Sequence, residues 1–486
     1  MIGLLFGQFL IWALGSACVA VVWQSSLGSS CAVSRSDRAI TIGYGYPIGT
    51  LLLAIYMRLL SALGIPWSFL SIAAPMLAVA AGFFLMVPAS HRRKLFGLQS
   101  IGGADAAVVE VKTRMRSVFC WVICTLIAAH LVMQFLEIVW RPLFPWDAWT
   151  QWATKARVWY ETSRLAPFSD VATWLGGNTY IDAAPAYPAN VPLMQVWACI
   201  TIGSWDDSLM NMPSVFFAAG LAVALYGQMR YAGRGALLSI SAAYAALSLP
   251  ILDTHVALGG YADFPLAVYF SLSAIALWQW SICRDHRQLV LAVILAIACP
   301  LTKNPGWVWL ATLVPALVVA FLPARGVLVV GALGLTGLLL AVAFGRADVT
   351  VWGYHVGGTY HAVWEPIWQN YYQFANWHLL WYVLPVLMLW NARRLFRPPL
   401  VAGTMIVMCG FAFLFIVFSF SNAAAWVTDY STVNRATLHF APLLVFYLFF
   451  LLRENRASMI QPTTADAGSA SANALTSSKI LNPVGD

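Results

Sequence analysis

The sequence predicts an all-α integral membrane protein with about thirteen transmembrane helices. Three observations carry that prediction. The 486 residues are 61% hydrophobic and only 9% charged, whereas ordinary soluble domains carry roughly a quarter charged residues. Mean hydropathy is +0.75. Apolar runs long enough to cross a bilayer recur along nearly the whole chain. Together these exclude a soluble globular enzyme, a disordered chain and a nucleic-acid binder.

The runs fall near 2–23, 45–64, 66–87, 117–139, 208–228, 233–251, 261–282, 286–301, 305–322, 326–345, 378–392, 400–420 and 441–452. The stretch 191–204 is apolar but too short to cross, and reads as a re-entrant or surface helix entering at Pro192. Basic residues mark the cytoplasmic side. They are Arg92/Arg93/Lys94 with Lys112, Arg114 and Arg116, then Arg230/Arg234, Arg284/Arg287, Arg325, Arg393/Arg394/Arg397 and Arg453/Arg456. All face one side only if 191–204 does not cross. The excess of 27 basic over 19 acidic residues is then a topology signal. The C-terminus lies in the cytoplasm and the N-terminus outside. Residues 453–486 form a Ser/Ala/Thr-rich tail without periodicity, expected to be disordered. The first residues lack a basic n-region and read as a retained span.

The other face receives loops 140–190, 252–260, 302–304, 346–377 and 421–440. No Asn-x-Ser/Thr sequon occurs, which fits a bacterial periplasmic face. The eight cysteines show no metal spacing, and most lie inside apolar runs, as Cys120, Cys124, Cys299 and Cys409 do.

Ionisable residues crowd this outer face. From Asp147 the pattern turns helical, with Trp149, Trp152, Ala156 and Trp159 on one face. That reads as an amphipathic interfacial helix with Lys155 and Arg157 turned to water or headgroups. Asp147 reads as a helix N-cap or as a general base at the membrane surface. Asp263, in Gly259-Gly260-Tyr261-Ala262-Asp263, opens an apolar run, where a carboxylate is costly unless used or paired. It too reads as a cap or a site residue. His255 reads as a loop histidine. Lys303, in the break Thr302-Lys303-Asn304-Pro305-Gly306, reads as a snorkelling lysine or a cation for a lipid-linked phosphate. Arg435 and His439, four apart, share a helical face. Arg435 either pairs with Asp429 or binds an anion. In 346–377, the aromatics either stack on a sugar or sit at the interface. Tyr354-His355 and Tyr360-His361 hint only weakly at metal ligands.

In their order and shared sidedness, these motifs resemble polytopic GT-C fold glycosyltransferases, in particular the bacterial family-39-like group that uses polyprenyl-phosphate sugars. The resemblance rests on Asp147, the helix after it, Tyr187-Pro188-Ala189-Asn190-Val191-Pro192, Asp263, Lys303-Asn304 and Arg435. It covers roughly 117–452, which becomes the catalytic domain, and leaves 1–116 as additional helices and a basic loop. It implies sugar transfer from a polyprenyl-phosphate donor to a glycan, lipid or protein acceptor at the periplasmic face of the bacterial inner membrane. Asp147 and Asp263 would be the catalytic pair, with Asp147 the base of an inverting displacement. Lys303, Arg435 and His439 would bind the donor phosphate. Trp146, Lys155, Tyr261, Asn304, His361 and Glu365 would contact substrate. No cofactor is required; a divalent ion joining Asp147 and Asp263 stays open. The alternatives are an O-antigen ligase or polymerase, expected to carry an Arg/His-rich late loop, and a lipid-linked-sugar transporter or flippase. A transporter should show inverted repeats and polar groups near span midpoints. Here only His130 is mid-span, with Glu137 near an end.

Overall fold

The computed structural model describes residues 1–24, 35–96, 110–177, 179–343, 349–351, 354–356 and 359–452. The tail 453–486 and the stretch 97–109 of the basic loop lie outside the described residues. Seven helices are long and apolar enough to cross a membrane: Ile2–Gln24, Ser36–Ala62, Phe69–Met86, Met115–Trp140, Leu209–Tyr231, Asp263–Cys283 and Val401–Phe420. Two bent pairs pass the same test, Ala236–Leu247 with Pro250–Ala257 and Thr432–Leu438 with Ala441–Leu451, broken by 63° and 55°. A proline opens the second helix of each pair, Pro250 at its first position and Pro442 at its second, where a missing N–H costs nothing; Leu249, before Pro250, is extended. This gives seven to nine spans among the described residues.

Three of the other four expected runs fold as His286–Thr302, Gly306–Phe321 and Leu380–Trp390. At 1.5 Å per residue they reach roughly 16 to 26 Å, short of a hydrocarbon core of about 30 Å. The fourth, Pro323–Ala343, has 21 residues and reaches about 31 Å. The helix Asn190–Ile202 is also too short to cross. It does not lie on the surface: nearly every residue from Asn190 to Cys199 is buried, against Ile2–Gln24 and Thr154–Thr162.

Close packing is densest between the first two helices. A Cβ on Gly15 would overlap the backbone of Gly45 and Gly49, so small residues let these helices touch backbone to backbone. By contrast, the windows of Phe69–Met86 and Met115–Trp140 are only 22% and 11% buried. Their exposed side chains include Leu70, Leu85, Trp121 and Met133. Such surfaces need no polar partner in lipid. The chain is an all-α, multi-pass membrane protein. Residues 1–451 form one compact unit, in which the N-terminal helices pack directly on Pro213–Tyr231 and Asn190–Ile202. Among the described residues, strands are confined to two short pairs, Phe168–Ser169 with Tyr180–Ile181 and Val349–Val351 with Tyr354–Val356.

Helix Asp263–Cys283 sets the polarity of the fold. Its 21 residues span about 31 Å. Asp263 stands at one end and Arg284 follows the other. Helix His286–Thr302 packs beside it on the return, which brings Lys303 to the Asp263 end and leaves Arg287 at the Arg284 end.

Candidate functional site

The site is built around one buried carboxylate. Asp263 is the first residue of its helix, where the field of the free N–H groups favours a negative charge. Pro265 fits this first turn, since its missing N–H has no helical partner there. Neither Asp263 nor Asp147 caps a helix through its side chain, which corrects the cap reading of both. A local cap is worth about 1 kcal/mol, and here distant cations take both carboxylates instead.

Asp263 is completely inaccessible to solvent. Its Oδ1 accepts from Lys303 Nζ at 2.5 Å and from His439 Nε2 at 2.8 Å. Its Oδ2 accepts from Arg435 Nε at 3.1 Å and Nη2 at 3.0 Å. Lys303 reaches it because the chain is extended at the break after His286–Thr302, before Gly306–Phe321 begins. Burial pushes the Lys303 ammonium below its ordinary value, and the neighbouring Asp263 only partly restores it. Arg435 and His439, one helical turn apart, meet the same carboxylate from opposite oxygens.

Arg435 also joins the second carboxylate. Its Nη1 donates to Asp147 Oδ2 at 2.6 Å. The guanidinium therefore lies between Asp147 and Asp263, in the place where an ion joining the two would sit. Tyr261 forms the floor, its ring 4.4 Å from the guanidinium carbon. Gly260 adopts φ +89 just before it, and a Cβ there would press on Ala148. Burial raises the Tyr261 hydroxyl above its ordinary value, despite the adjacent Arg435. Asp429 does not pair with Arg435; it accepts from the backbone N–H of Ser431 and Thr432 at 2.9 and 3.2 Å.

His439 is held in one tautomer. Trp309 Nε1 donates to its Nδ1 at 2.9 Å. An indole N–H can only donate, so Nδ1 must accept and the ring proton sits on Nε2, facing Asp263. The cluster therefore holds two carboxylates, one ammonium, one guanidinium and a neutral imidazole. Trp309 is a residue that sequence reasoning missed. Its only signal is a tryptophan three places after Gly306, one of 23 in the chain. His255 is not a loop histidine: it is buried on helix Pro250–Ala257, its Nδ1 2.8 Å from the Ile251 carbonyl and its ring 5.6 Å from that of Tyr261.

The remaining sequence-derived residues divide. Asn304 is half-buried in the Lys303 break. Lys155 was expected at water or headgroups but is 1% exposed. Its Nζ sits 2.8 Å from Asp182 Oδ2 and donates to the carbonyls of Ala184 and Tyr187 at 2.6 and 3.3 Å. It straps the 182–187 segment to the helix. Burial lowers the Lys155 ammonium, with Asp182 opposing. The helical face also shifts. Residues Ala148–Ala153 form a π-helical turn, so Ala148, Trp152, Ala156 and Trp159 are buried while Trp149 is 46% exposed. The wider turn rotates Trp149 off the stripe. Trp146 is exposed and packs edge-on to Trp149. His361 and Glu365 are exposed. His361 donates its backbone N–H to Ser419, and Glu365 accepts from Gln369. The structure does not bring their side chains to the cluster. The end of that loop instead braces the Arg435 helix: Tyr371 lies 2.7 Å from Thr437 Oγ1, and Trp377 Nε1 donates to Asn434 at 3.0 Å.

Chemically, the cluster offers a sealed carboxylate and a reachable one. Asp263 has donors on both oxygens and no access to solvent. The Asp147 side chain is 28% exposed and held through one oxygen only. Among the described residues, no three His, Cys, Asp or Glu side chains gather as a metal site. No family model, curated protein or solved structure matches the chain.

Proposed function

We propose that the protein is a membrane glycosyltransferase of GT-C-like architecture that moves a sugar from a polyprenyl-phosphate donor to an acceptor hydroxyl. The observation that carries this reading is the reachable Asp147 carboxylate beside two cations, Lys303 and Arg435, at one end of the helix bundle. A base and a phosphate-compensating pair are what direct displacement at a sugar phosphate needs. The Arg284 and Arg287 end is then cytoplasmic and the cluster faces the periplasm of a bacterial inner membrane, following the positive-inside bias. Thirteen crossings follow if the shorter apolar helices cross where the bilayer thins.

In the reaction, the acceptor O–H bond breaks and its proton passes to Asp147. The acceptor oxygen bonds to the anomeric carbon, with inversion. The carbon–oxygen bond to phosphate breaks and leaves its electron pair on the phosphate. Lys303 and Arg435 stabilise the growing charge, so the leaving group needs no proton. Asp263 and Trp309 act as positioning residues: Asp263 holds the cations, and Trp309 fixes His439. The acceptor is a glycan, lipid or protein.

The test is sugar transfer in proteoliposomes, with radiolabelled polyprenyl-phosphate sugars and a membrane acceptor extract. Transfer to a new product by the wild type, lost in Asp147→Asn, supports the reading. Label that crosses the bilayer with its lipid intact replaces it with a flippase.

A further inference from the structure

Arg435 serves two carboxylates, and they hold it very differently. Asp263 takes two of its N–H groups and also binds Lys303 and His439, with no exposure to solvent. Removing Asp263 from Arg435 would strand buried charge. Asp147 takes one N–H through a single oxygen and is partly exposed. Its side chain makes no helix cap that would tether it elsewhere. It follows directly on Pro145-Trp146 and precedes the π-helical turn Ala148–Ala153, a local irregularity that often marks working sites.

The charges give the second argument. Asp147 and Asp263 balance Lys303 and Arg435, and His439 is neutral. A phosphate added to this set would leave surplus negative charge in a partly desolvated place. Exchange on Arg435 of the Asp147 carboxylate for a singly charged phosphodiester leaves the charge in contact with the guanidinium unchanged, while the partly exposed Asp147 turns to water; a monoester brings up to one charge more.

We propose that Asp147 is a resident stand-in for a ligand's phosphate on Arg435 Nη1, and that an arriving phosphate monoester or diester displaces it. Displacement has a consequence for the proposed transferase, on which this inference rests. While Arg435 holds it, Asp147 Oδ2 is occupied by the guanidinium N–H and does not face an acceptor hydroxyl. Once phosphate takes its place, the carboxylate is free to receive the acceptor's proton. The base is then armed only when a donor is loaded, which limits attack by water on an unoccupied site. Asp263 stays in place throughout and keeps Arg435 and Lys303 aimed at the phosphate.

The probe is farnesyl phosphate, added to the full-length protein in nanodiscs, with inorganic phosphate in a parallel arm. A hydrophilic carbodiimide labels carboxyl groups, and mass spectrometry reads Asp147 and Asp263 separately. The expected result is faster labelling of Asp147 by several-fold when farnesyl phosphate binds, with Asp263 unlabelled throughout. Asp147→Asn, which removes the competitor, should bind farnesyl phosphate about ten-fold tighter than the wild type. If farnesyl phosphate binds while Asp147 labelling is unchanged or slower, the exchange is overturned and the transferase reading stands. Binding by neither protein overturns the exchange and the phosphate-donor reading together. An equal response to inorganic phosphate supports the exchange but assigns the anion to solution rather than to a lipid. The labelling arm uses the wild type, so the test survives if the variant fails to fold.

Discussion

Helix Asp263–Cys283 ends in a clamped carboxylate at both sides, and the two clamps differ in where their partners come from. Beyond its C-terminal end, Asp285 accepts from Arg287 Nε at 2.9 Å and Nη2 at 2.6 Å, only two residues away, and from Tyr231 at 2.7 Å. Arg287 lies over Trp23, and beside it Gln228 links Gln288 to Tyr44. Most of that clamp forms within one turn of chain. At the other end, Asp263 draws on residues 40, 172 and 176 positions away. The local clamp needs little but its own turn. The distant one exists only when the whole bundle is assembled, and it holds its second carboxylate by a single hydrogen bond. That loosely held and partly exposed carboxylate, Asp147, is what makes that end a candidate site.

The largest effect should come from Asp263→Ala. It leaves Lys303 and Arg435 buried beside too little negative charge, and should destabilise the protein by about 3 to 5 kcal/mol. Thermal unfolding in detergent measures it; a loss under about 1 kcal/mol would mean that water screens the cluster. Asp147→Asn should separate stability from chemistry. Turnover should fall by roughly 10²- to 10⁴-fold, while unfolding shifts by less than about 1 kcal/mol. A large loss of stability would make Asp147 as structural as Asp263, and the contrast within the cluster would vanish. Trp309→Phe keeps the ring but removes the N–H that fixes His439. About 1 kcal/mol of stability should go, and nitrogen NMR of His439 should show mixed tautomers. A single Nε2–H tautomer in the variant would mean that Asp263 alone sets the ring.

The smallest effect belongs to the local clamp. Burial disfavours the Asp285 carboxylate, but Arg287 and Tyr231 outweigh it and hold the group below its ordinary value. A depressed carboxylate contributes stability above its unfolded pKa, near 4, and loses it as the pH falls through the lower folded value. Asp285→Asn should therefore cost about 0.5 kcal/mol at pH 6 and flatten the fall in stability between about pH 5 and pH 2. An identical acid profile would remove Asp285 from the account.

Much of this was legible in the sequence because charge is rare in it. Asp263, Lys303 and Arg435 each stand at the edge of an apolar run, where an unpaired charge is costly, so their positions alone announce a partner. The identity of the partners was not legible. From the sequence, Arg435 either pairs with Asp429, six residues away, or binds an anion, whereas its partners in the structure, Asp263 and Asp147, lie 172 and 288 residues away. Lys155 was misplaced for the same reason: its helical face is visible in the sequence, but the 182–187 segment that folds over it is not. Trp309 was hidden among many tryptophans, since nothing local says that its N–H meets a histidine. The spans failed differently. Apolar runs mark where helices lie, but the bends before Pro250 and Pro442 and the short helices after His286 depend on what they pack against.

The distance in sequence between Asp263 and Arg435 has a consequence for biogenesis. Spans of a membrane protein emerge from the ribosome in order, so Asp263 arrives long before the helix that completes its pairing. Until residue 435 is made, Asp147 and Asp263 have Lys303 as the one cation of the finished cluster. A nascent chain stalled before the Thr432–Leu438 helix therefore holds surplus negative charge among its apolar segments, a state that water or a chaperone must shelter. The last helices act as the closing step of assembly, and their arrival separates a finished molecule from an abandoned one.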